Sequence, residues 1–222
     1  GYSPAAEITV MLTADKLALA DHWRRHGVPT PRTWPIRDWP GTDFPVVLKP
    51  RYGAGSTGMA LLRRADDLMK SWLFAGGSGA GESLVQPFAD GQAASVAFVV
   101  GGGQAVPLAP AFQYIAADGT FAYQGGEVPL PPDLAKRAVM VAGRAVKCVP
   151  GLSGYVGVDV LLGAEDVAVE INPRLTTSYV GLRRLAVDNL MAAVLRAGQG
   201  EAVGAVRWHA GNVRFRPDGT TE

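Results

Sequence analysis

Residues 157–182 read GVDVLLGAEDVAVEINPRLTTSYVGL, and their reading decides the fold. Two apolar runs, Val156–Leu162 and Val167–Ile171, flank a turn-prone segment, Gly163–Asp166. That pattern predicts two strands joined by a short loop. Each run carries polar groups that an ordinary core strand lacks. Asp159 interrupts the first, and Glu170 and Asn172 end the second. Paired as a hairpin, the strands bring an aspartate and a glutamate together with an amide beside them. Two close carboxylates repel, and one takes up a proton unless positive charge lies between them. A hard cation with oxygen ligands, Mg2+ or Mn2+, removes that conflict. Pro173 stops the strand and Arg174 follows, a guanidinium suited to a phosphate or a developing oxyanion. On spacing alone, two solvent-facing acids of an amphipathic sheet explain the pattern equally well.

Outward from the hairpin, the composition narrows the field. The chain has 222 residues, 48% hydrophobic and 18% charged, with a net charge of +1. It is long enough for one large domain or two small lobes, and its composition is that of a globular protein. The near-zero charge gives no argument for nucleic acid or an anionic membrane. No run approaches the roughly 18 apolar residues of a membrane helix, and no signal peptide is visible, so a cytoplasmic compartment is expected. One cysteine, Cys148, excludes an internal disulfide and reads as a small core residue of a helix. Glycine, at 28 residues, exceeds the average of about 7% and clusters in loops.

In chain order, residues 1–12 read as a leading segment with an apolar patch, Ile8–Leu12. Thr13 is placed as the cap of a helix over Ala14–His26, with Leu17, Ala20 and Trp23 on one face and Gly27, Pro29 and Pro31 closing it. Lys16 in its first turn opposes the helix dipole. Phe44–Lys49 is a strand that ends in a lysine, which is costly to bury unless paired. R-Y-G-A-G-S-T-G follows and leads into a second strand, Met59–Leu62. Such a loop exposes backbone N–H groups to phosphate oxygens, or is simply a flexible turn. It is neither a Walker loop nor a dinucleotide fingerprint, because a strand and not a helix comes next. Ala65–Phe74 reads as a helix, Gly76–Gly81 as a spacer and Ser83–Phe88 as a buried strand. Ala94–Val100 and Ala105–Ala111 form a hairpin about a glycine turn. Phe112–Ile115 and Thr120–Tyr123 suggest another, and residues 125–132 a Gly/Pro loop. Gln113, Tyr114, Tyr123 and Gln124 either line a cleft or are ordinary sheet residues. Pro132–Val149 is the clearest amphipathic helix. A helix from the T-T-S-Y-V-G-L run to about Ala197, with Leu182, Leu185, Leu190 and Leu195 inward, and strands at Ala202–Trp208 and Asn212–Phe215 complete the chain.

Four phrases stand in one order: D-K-L with G-V-P-T-P, V-V-L-K-P with its glycine loop, L-V-Q-P-F, and G-V-D…V-E-I-N-P-R. Together, over about residues 13–196, they resemble the ATP-grasp superfamily. The resemblance implies an α+β fold of two lobes whose antiparallel sheets close on ATP. Residues 1–85 would hold the N-terminal part with the small glycine-loop lobe, and 86–222 the C-terminal lobe with the metal site. The N-terminal domain of about 100 residues common in the family is not expected in this chain. By the same resemblance, Lys16 and Lys49 reach the nucleotide phosphates, Gly55, Ser56 and Thr57 fold over them, and Gln86, Pro87 and Phe88 hold the adenine edge. Asp159, Glu170 and Asn172 hold Mg2+ or Mn2+, and Arg174, with Lys49, serves the transfer. The chain departs from the pattern at Gln86 and Ala93, where many relatives carry glutamates, the second of them on the ribose. The implied activity is carboxylate–amine ligation through an acyl phosphate, for which no protein nucleophile is required. E-I-N-P-R-L-T-T-S-Y-V-G-L further resembles the tyramine–glutamate ligases of methanofuran biosynthesis. That suggests a glutamate-like acid and an amine as small-molecule partners, allows a homodimer, and places Thr176, Thr177 and Ser178 near the acyl substrate. Other amino-acid, dipeptide or polyglutamate ligases, an ATP-binding module without turnover, and a bicarbonate-activating carboxylase subunit stay open.

Overall fold

A computed structural model describes residues 4–53, 56–68 and 83–222. Two antiparallel sheets dominate it. The smaller has the order β1-β4-β2-β3, with β1 Trp34–Pro35, β2 Val46–Pro50, β3 Ala60–Leu62 and β4 Ser83–Pro87. The larger has the order β10-β9-β5-β7-β8-β11, with β6 also paired to β5. Its strands are β5 Gln92–Gly101, β6 Gln104–Pro107, β7 Ala111–Ile115, β8 Tyr123–Val128, β9 Gly154–Leu162, β10 Val167–Asn172 and β11 Val213–Phe215. Among the described residues the longer helices are α1 Pro4–Ala14, α2 Lys16–Arg25, α3 Pro132–Lys147, α4 Ser178–Leu185 and α5 Leu190–Gly198.

Alternation along β9 separates the faces of the large sheet. Val156, Val158, Val160 and Leu162 pack with Leu19 and Trp23 of α2 and with Ala138, Val141 and Ala145 of α3. The opposite face is shared. One end, with Tyr155, is covered by Leu182 and Leu185 of α4, Leu190 and Ala193 of α5, and Phe215. The other end, with Asp159, is left open toward the small sheet, whose own core is Val46, Leu62 and Val85. The sheets touch where the Leu61 N–H donates to the Gly119 carbonyl in the β7–β8 turn, at 3.0 Å. The site lies in the gap between them.

Several sequence expectations change. The leading segment is helical from Pro4, and Thr13 belongs to that helix, its hydroxyl donating to the Thr9 carbonyl at 2.8 Å. Asp15 is the cap of α2 instead, its carboxylate accepting from Leu17 and Ala18 N–H at 3.0 and 3.2 Å. Leu19, Ala20 and Trp23 are the buried residues of that helix. Gly125 and Gly126 are strand, not loop. A Cβ on Gly126 would stand 2.2 Å from the Phe112 carbonyl oxygen and 2.7 Å from the Phe215 ring, so close packing and not flexibility accounts for the pair. The helix expected to run to Ala197 breaks after Leu185. Ala186 bridges to Trp208, Asp188 accepts from Arg207 N–H at 3.0 Å, and Asn189 caps a new helix. Leu195 is consequently exposed, at 62%. The strand expected over Ala202–Trp208 reduces to that single bridge. Residues 65–68 are helical; the rest of the helix expected there, and the 76–81 spacer, lie outside the described residues. Among the described residues no helix is long and apolar enough to cross a membrane.

Candidate active site

The site begins with the β9–β10 hairpin. Its pairing matches Val158 with Ile171 and Gly157 with Asn172, and sets Glu170 directly opposite Asp159. A β-bulge between Ala168 and Glu170 shifts the register there. Strict alternation would send Ala168 and Glu170 to one face. With the bulge, Ala168 and Ile171 stay in the core while Val169, Glu170 and Asn172 turn to the cleft. Gly157 leaves room on that face for Thr176, whose Cγ2 would lie 2.6 Å from a Cβ built there. The loop between the strands is fixed from α3, where Arg137 donates to Asp166 at 2.9 and 2.5 Å and to the Gly163 carbonyl at 2.6 Å.

The cleft has a volume of about 510 Å3. Lys16, Lys49, Ser56 and Thr57 line one wall, and Asp159, Glu170, Asn172 and Arg174 the other. Lys49 is only 3% exposed. Burial, against the attraction of Glu170 and aided by the repulsion of Lys16, pulls its pKa down to about 8. Lys16 donates to the Gly53 carbonyl at 2.5 Å and stands 3.6 Å from Glu170. Its backbone N–H donates to the Arg51 carbonyl at 3.1 Å, and Arg51 grips Asp15 at 2.9 and 2.5 Å. The start of the glycine loop is thus tied to the cap of α2. Ser56 holds a positive φ of 58°, a strained value for a non-glycine residue.

On the other wall, Asp159 accepts from Gln113 Nε2 at Oδ1 (2.7 Å) and from Asn172 Nδ2 at Oδ2 (3.2 Å). Asn172 Oδ1 accepts in turn from Arg174 Nη2 at 3.2 Å. Burial first, and then the neighbouring Glu170, push the Asp159 pKa up to about 7, against the pull of Gln113, Arg174 and Asn172. Beyond them, Tyr155, Thr176 and Ser178 form a triangle of hydroxyls with edges of 3.2, 3.2 and 3.0 Å. Thr176, Thr177 and Ser178 all face the cleft.

Eleven of the twelve sequence-derived site positions fall among the described residues, and eight of them line the cleft. Lys16, Lys49, Ser56, Thr57, Asp159, Glu170, Asn172 and Arg174 are brought together there. Gly55 lies outside the described residues. Gln86, Pro87 and Phe88 are not among the lining residues: the buried Gln86 amide donates to Thr33 Oγ1 at 2.7 Å, and the Phe88 N–H donates to the Pro45 carbonyl at 2.9 Å. Of the four β7–β8 residues considered, Gln113 and Tyr123 face the cleft, while the Tyr114 hydroxyl donates to Glu127 at 2.9 Å. Sequence reasoning missed Arg51 and Tyr155. An aspartate directly before a helix was signal enough for the Asp15 cap; nothing in sequence showed that Arg51 would close on it.

The donors fit a hard cation. Among the described residues no cluster of three His, Cys, Asp or Glu side chains exists, so the chain offers two carboxylates and an amide oxygen. Mg2+ commonly takes few protein ligands and completes its shell with phosphate and water.

A family model described as an ATP-grasp domain matches residues 13–178. The chain belongs to the ATP-grasp family. A tyramine–L-glutamate ligase of Methanocaldococcus fervens is 43% identical over 100 residues, 45% of this chain and 33% of the relative. That match therefore spans about a third of the relative's length. Among solved structures, an ATP-grasp superfamily protein of Archaeoglobus fulgidus shares 27% identity at a TM-score of 0.68, over 94% of this chain and 58% of that one. N5-carboxyaminoimidazole synthetase of Staphylococcus aureus, complexed with ADP, superposes at a TM-score of 0.80 over 94% and 57% of the two chains. At 14% identity it shows the ATP-grasp fold alone.

Proposed function

We propose that this chain is the ATP-grasp core of a carboxylate–amine ligase that joins glutamate to tyramine through an acyl phosphate. The observation that carries the reading is the facing of Lys16 and Lys49 against Asp159 and Glu170 across one cleft, with Arg174 at its exposed rim. Opposed walls of this kind suit a polyphosphate with its cation. Lys16, Lys49 and the hydroxyls of Ser56 and Thr57 orient and neutralise the phosphates. Asp159, Glu170 and Asn172 would hold Mg2+ or Mn2+, which when bound neutralises phosphate charge. The apolar lining that Leu161 and Val169 contribute accommodates the base.

In the reaction the γ-phosphoryl group of ATP passes to a substrate carboxylate oxygen and ADP leaves. The amine lone pair then forms the C–N bond, phosphate departs with the C–O electron pair, and the nitrogen loses a proton. Arg174 stabilises the transferred phosphoryl group or the tetrahedral adduct. No protein nucleophile takes part; Cys148 packs beside the core on the far face of the large sheet, and burial raises its pKa. The choice of substrates is supported by the 43% identity to the tyramine–L-glutamate ligase. The test is ADP release with Mg2+, ATP and glutamate, with and without tyramine, and mass spectrometry of the product. Amine-dependent ADP and the mass of glutamyl-tyramine are expected. ATP binding with no ADP release from any acid and amine pair would overturn the ligase reading in favour of a binding module.

A further inference from the structure

We propose that Gln113 is a positioning residue of this site: it reaches across β5 and holds the Asp159 carboxylate where it faces Glu170. The inference rests on the reading of Asp159 as a cation-holding group.

Topology makes the contact unusual. β7 and β9 are not neighbours, because β5 runs between them. With strands spaced by about 4.8 Å, their backbones lie about 10 Å apart. Asp159 pairs with Ser95, and Ser95 with Ala111. Gln113 is two residues beyond Ala111, hence on the same face but out of that row. The bridge forms only because the side chain on β7 is long and the β5 residues beneath it, Ala93 and Ser95, are small; both line the cleft. A leucine at either place would fill the space the amide crosses.

The contact is also the shorter of the two that Asp159 accepts, 2.7 Å against 3.2 Å from Asn172. Hydrogen bonds to an ionised acceptor are roughly twice as strong as neutral ones. Gln113 takes Oδ1 from one flank of β9, across β5, and Asn172 takes Oδ2 from the other, on the adjacent β10, so both oxygens are fixed. An amide suits this place better than an ionised group. A third carboxylate would add to the repulsion between Asp159 and Glu170. A lysine would supply the charge that the carboxylates otherwise draw from a cation. The amide directs Asp159 and leaves the demand for positive charge intact.

The test uses Gln113→Leu and Gln113→Met, both unable to donate, in the whole chain. Mn2+ binding is titrated by electron paramagnetic resonance in the presence of a non-hydrolysable ATP analogue. Affinity is expected to fall by about 10- to 100-fold, the range found when groups that orient metal ligands are removed. The Mg2+ concentration for half-maximal ADP release rises in step, while KM for the amine and metal-free nucleotide binding stay as in the parent. Gln113→Met keeps the length of the side chain and carries the test if Gln113→Leu does not fold. Unchanged Mn2+ affinity in a folded variant, or a defect confined to KM for acid or amine, overturns the proposal. Asp159→Asn separates the two levels. If it abolishes Mn2+ binding while the Gln113 variants keep it, only the role of Gln113 falls; if it too binds Mn2+ normally, the cation reading falls with it.

Discussion

The two walls of the cleft hold their charges in different ways. On the large sheet, Gln113, Asp159, Asn172 and Arg174 form a continuous hydrogen-bonded row drawn from β7, β9, β10 and the segment after it. On the basic wall, Lys49 comes from the next-to-last residue of the small-sheet strand β2, and Lys16 from the first residue of α2, a helix that itself packs on the large sheet. The first wall is organised by partners and the second by burial and chain position. The pKa directions follow suit. Asp159 is pushed up to about 7 by burial and then by Glu170, and Lys49 is pulled down to about 8 by burial. Each wall is therefore perturbed toward neutrality, and each would be relieved by a ligand of the opposite sign. The difference teaches that damage to the acidic wall should strike chemistry first, whereas damage to the basic wall should exchange affinity for stability.

The sharpest way to break that contrast is Glu170→Ala. Charge stabilisation by a bound cation contributes several kcal/mol, so a loss of about a thousandfold or more in ADP release is expected. The fold should persist, since Glu170 is only half-buried and its partner Lys16 has a second contact at Gly53. Removing the second-largest upward push on Asp159 should also lower its pKa, visible in its carboxyl 13C shift. A variant with full turnover would refute the assignment of the acidic wall.

Lys49→Met should show the opposite balance. Loss of the phosphate contact proposed for Lys49 should weaken ATP by about 10- to 100-fold, read as KM or by calorimetry. Stability should rise. The lysine pKa falls from 10.5 to about 8 on folding, so the unfolded chain binds more protons between those values. Its buried charge therefore destabilises the fold fully below pH 8, by on the order of 3 kcal/mol, and that penalty fades as pH climbs from about 8 to 10.5. The variant should melt several degrees above the parent at pH 7, with the gap closing toward pH 10. An unstabilised variant would mean that Lys49 is already well compensated, and would erase the contrast between the walls.

The same division governed what could be read from sequence. The hairpin was legible because apolar alternation and two misplaced acids are local signals, and the strand–glycine–strand order is local too. The bulge was not. Ala168, Val169 and Glu170 look like ordinary alternation, and only packing of both Ala168 and Ile171 into the core shows that the phase has shifted. Gln113 could be suspected as a cleft residue, but its contact spans two strand spacings and depends on the small residues of β5. Gly125 and Gly126 misled because glycine pairs usually mark loops, whereas here the ring of Phe215 and the backbone beside it demand them. The break after Leu185 depends on residues 207 and 208, more than twenty positions away.

The smallest expected effect concerns the junction of α2 with the glycine loop, where Asp15 does two things at once. It caps α2 through Leu17 and Ala18, and it anchors Arg51 at the start of the glycine loop. Asp15→Ala removes both and should cost about 1–2 kcal/mol, mostly from the cap. Burial alone would raise the Asp15 pKa; the bonds from Arg51, Ala18 and Leu17 outweigh it and hold the pKa below 3.8. A lowered carboxylate pKa stabilises the fold above the unfolded value and loses that contribution as pH falls through the folded one. The parent–variant gap in melting temperature should therefore be constant above about pH 5 and shrink below pH 4. Asp15→Asn separates the two roles, because asparagine caps as well as aspartate but offers Arg51 no charge. If the anchor matters to the basic wall, Asp15→Asn should keep most of the stability and still raise KM for ATP a few-fold, with kcat unchanged. If instead its KM matches the parent's, the glycine loop is held by the backbone contacts of Lys16 and Arg51 alone, and the ion pair serves only the helix.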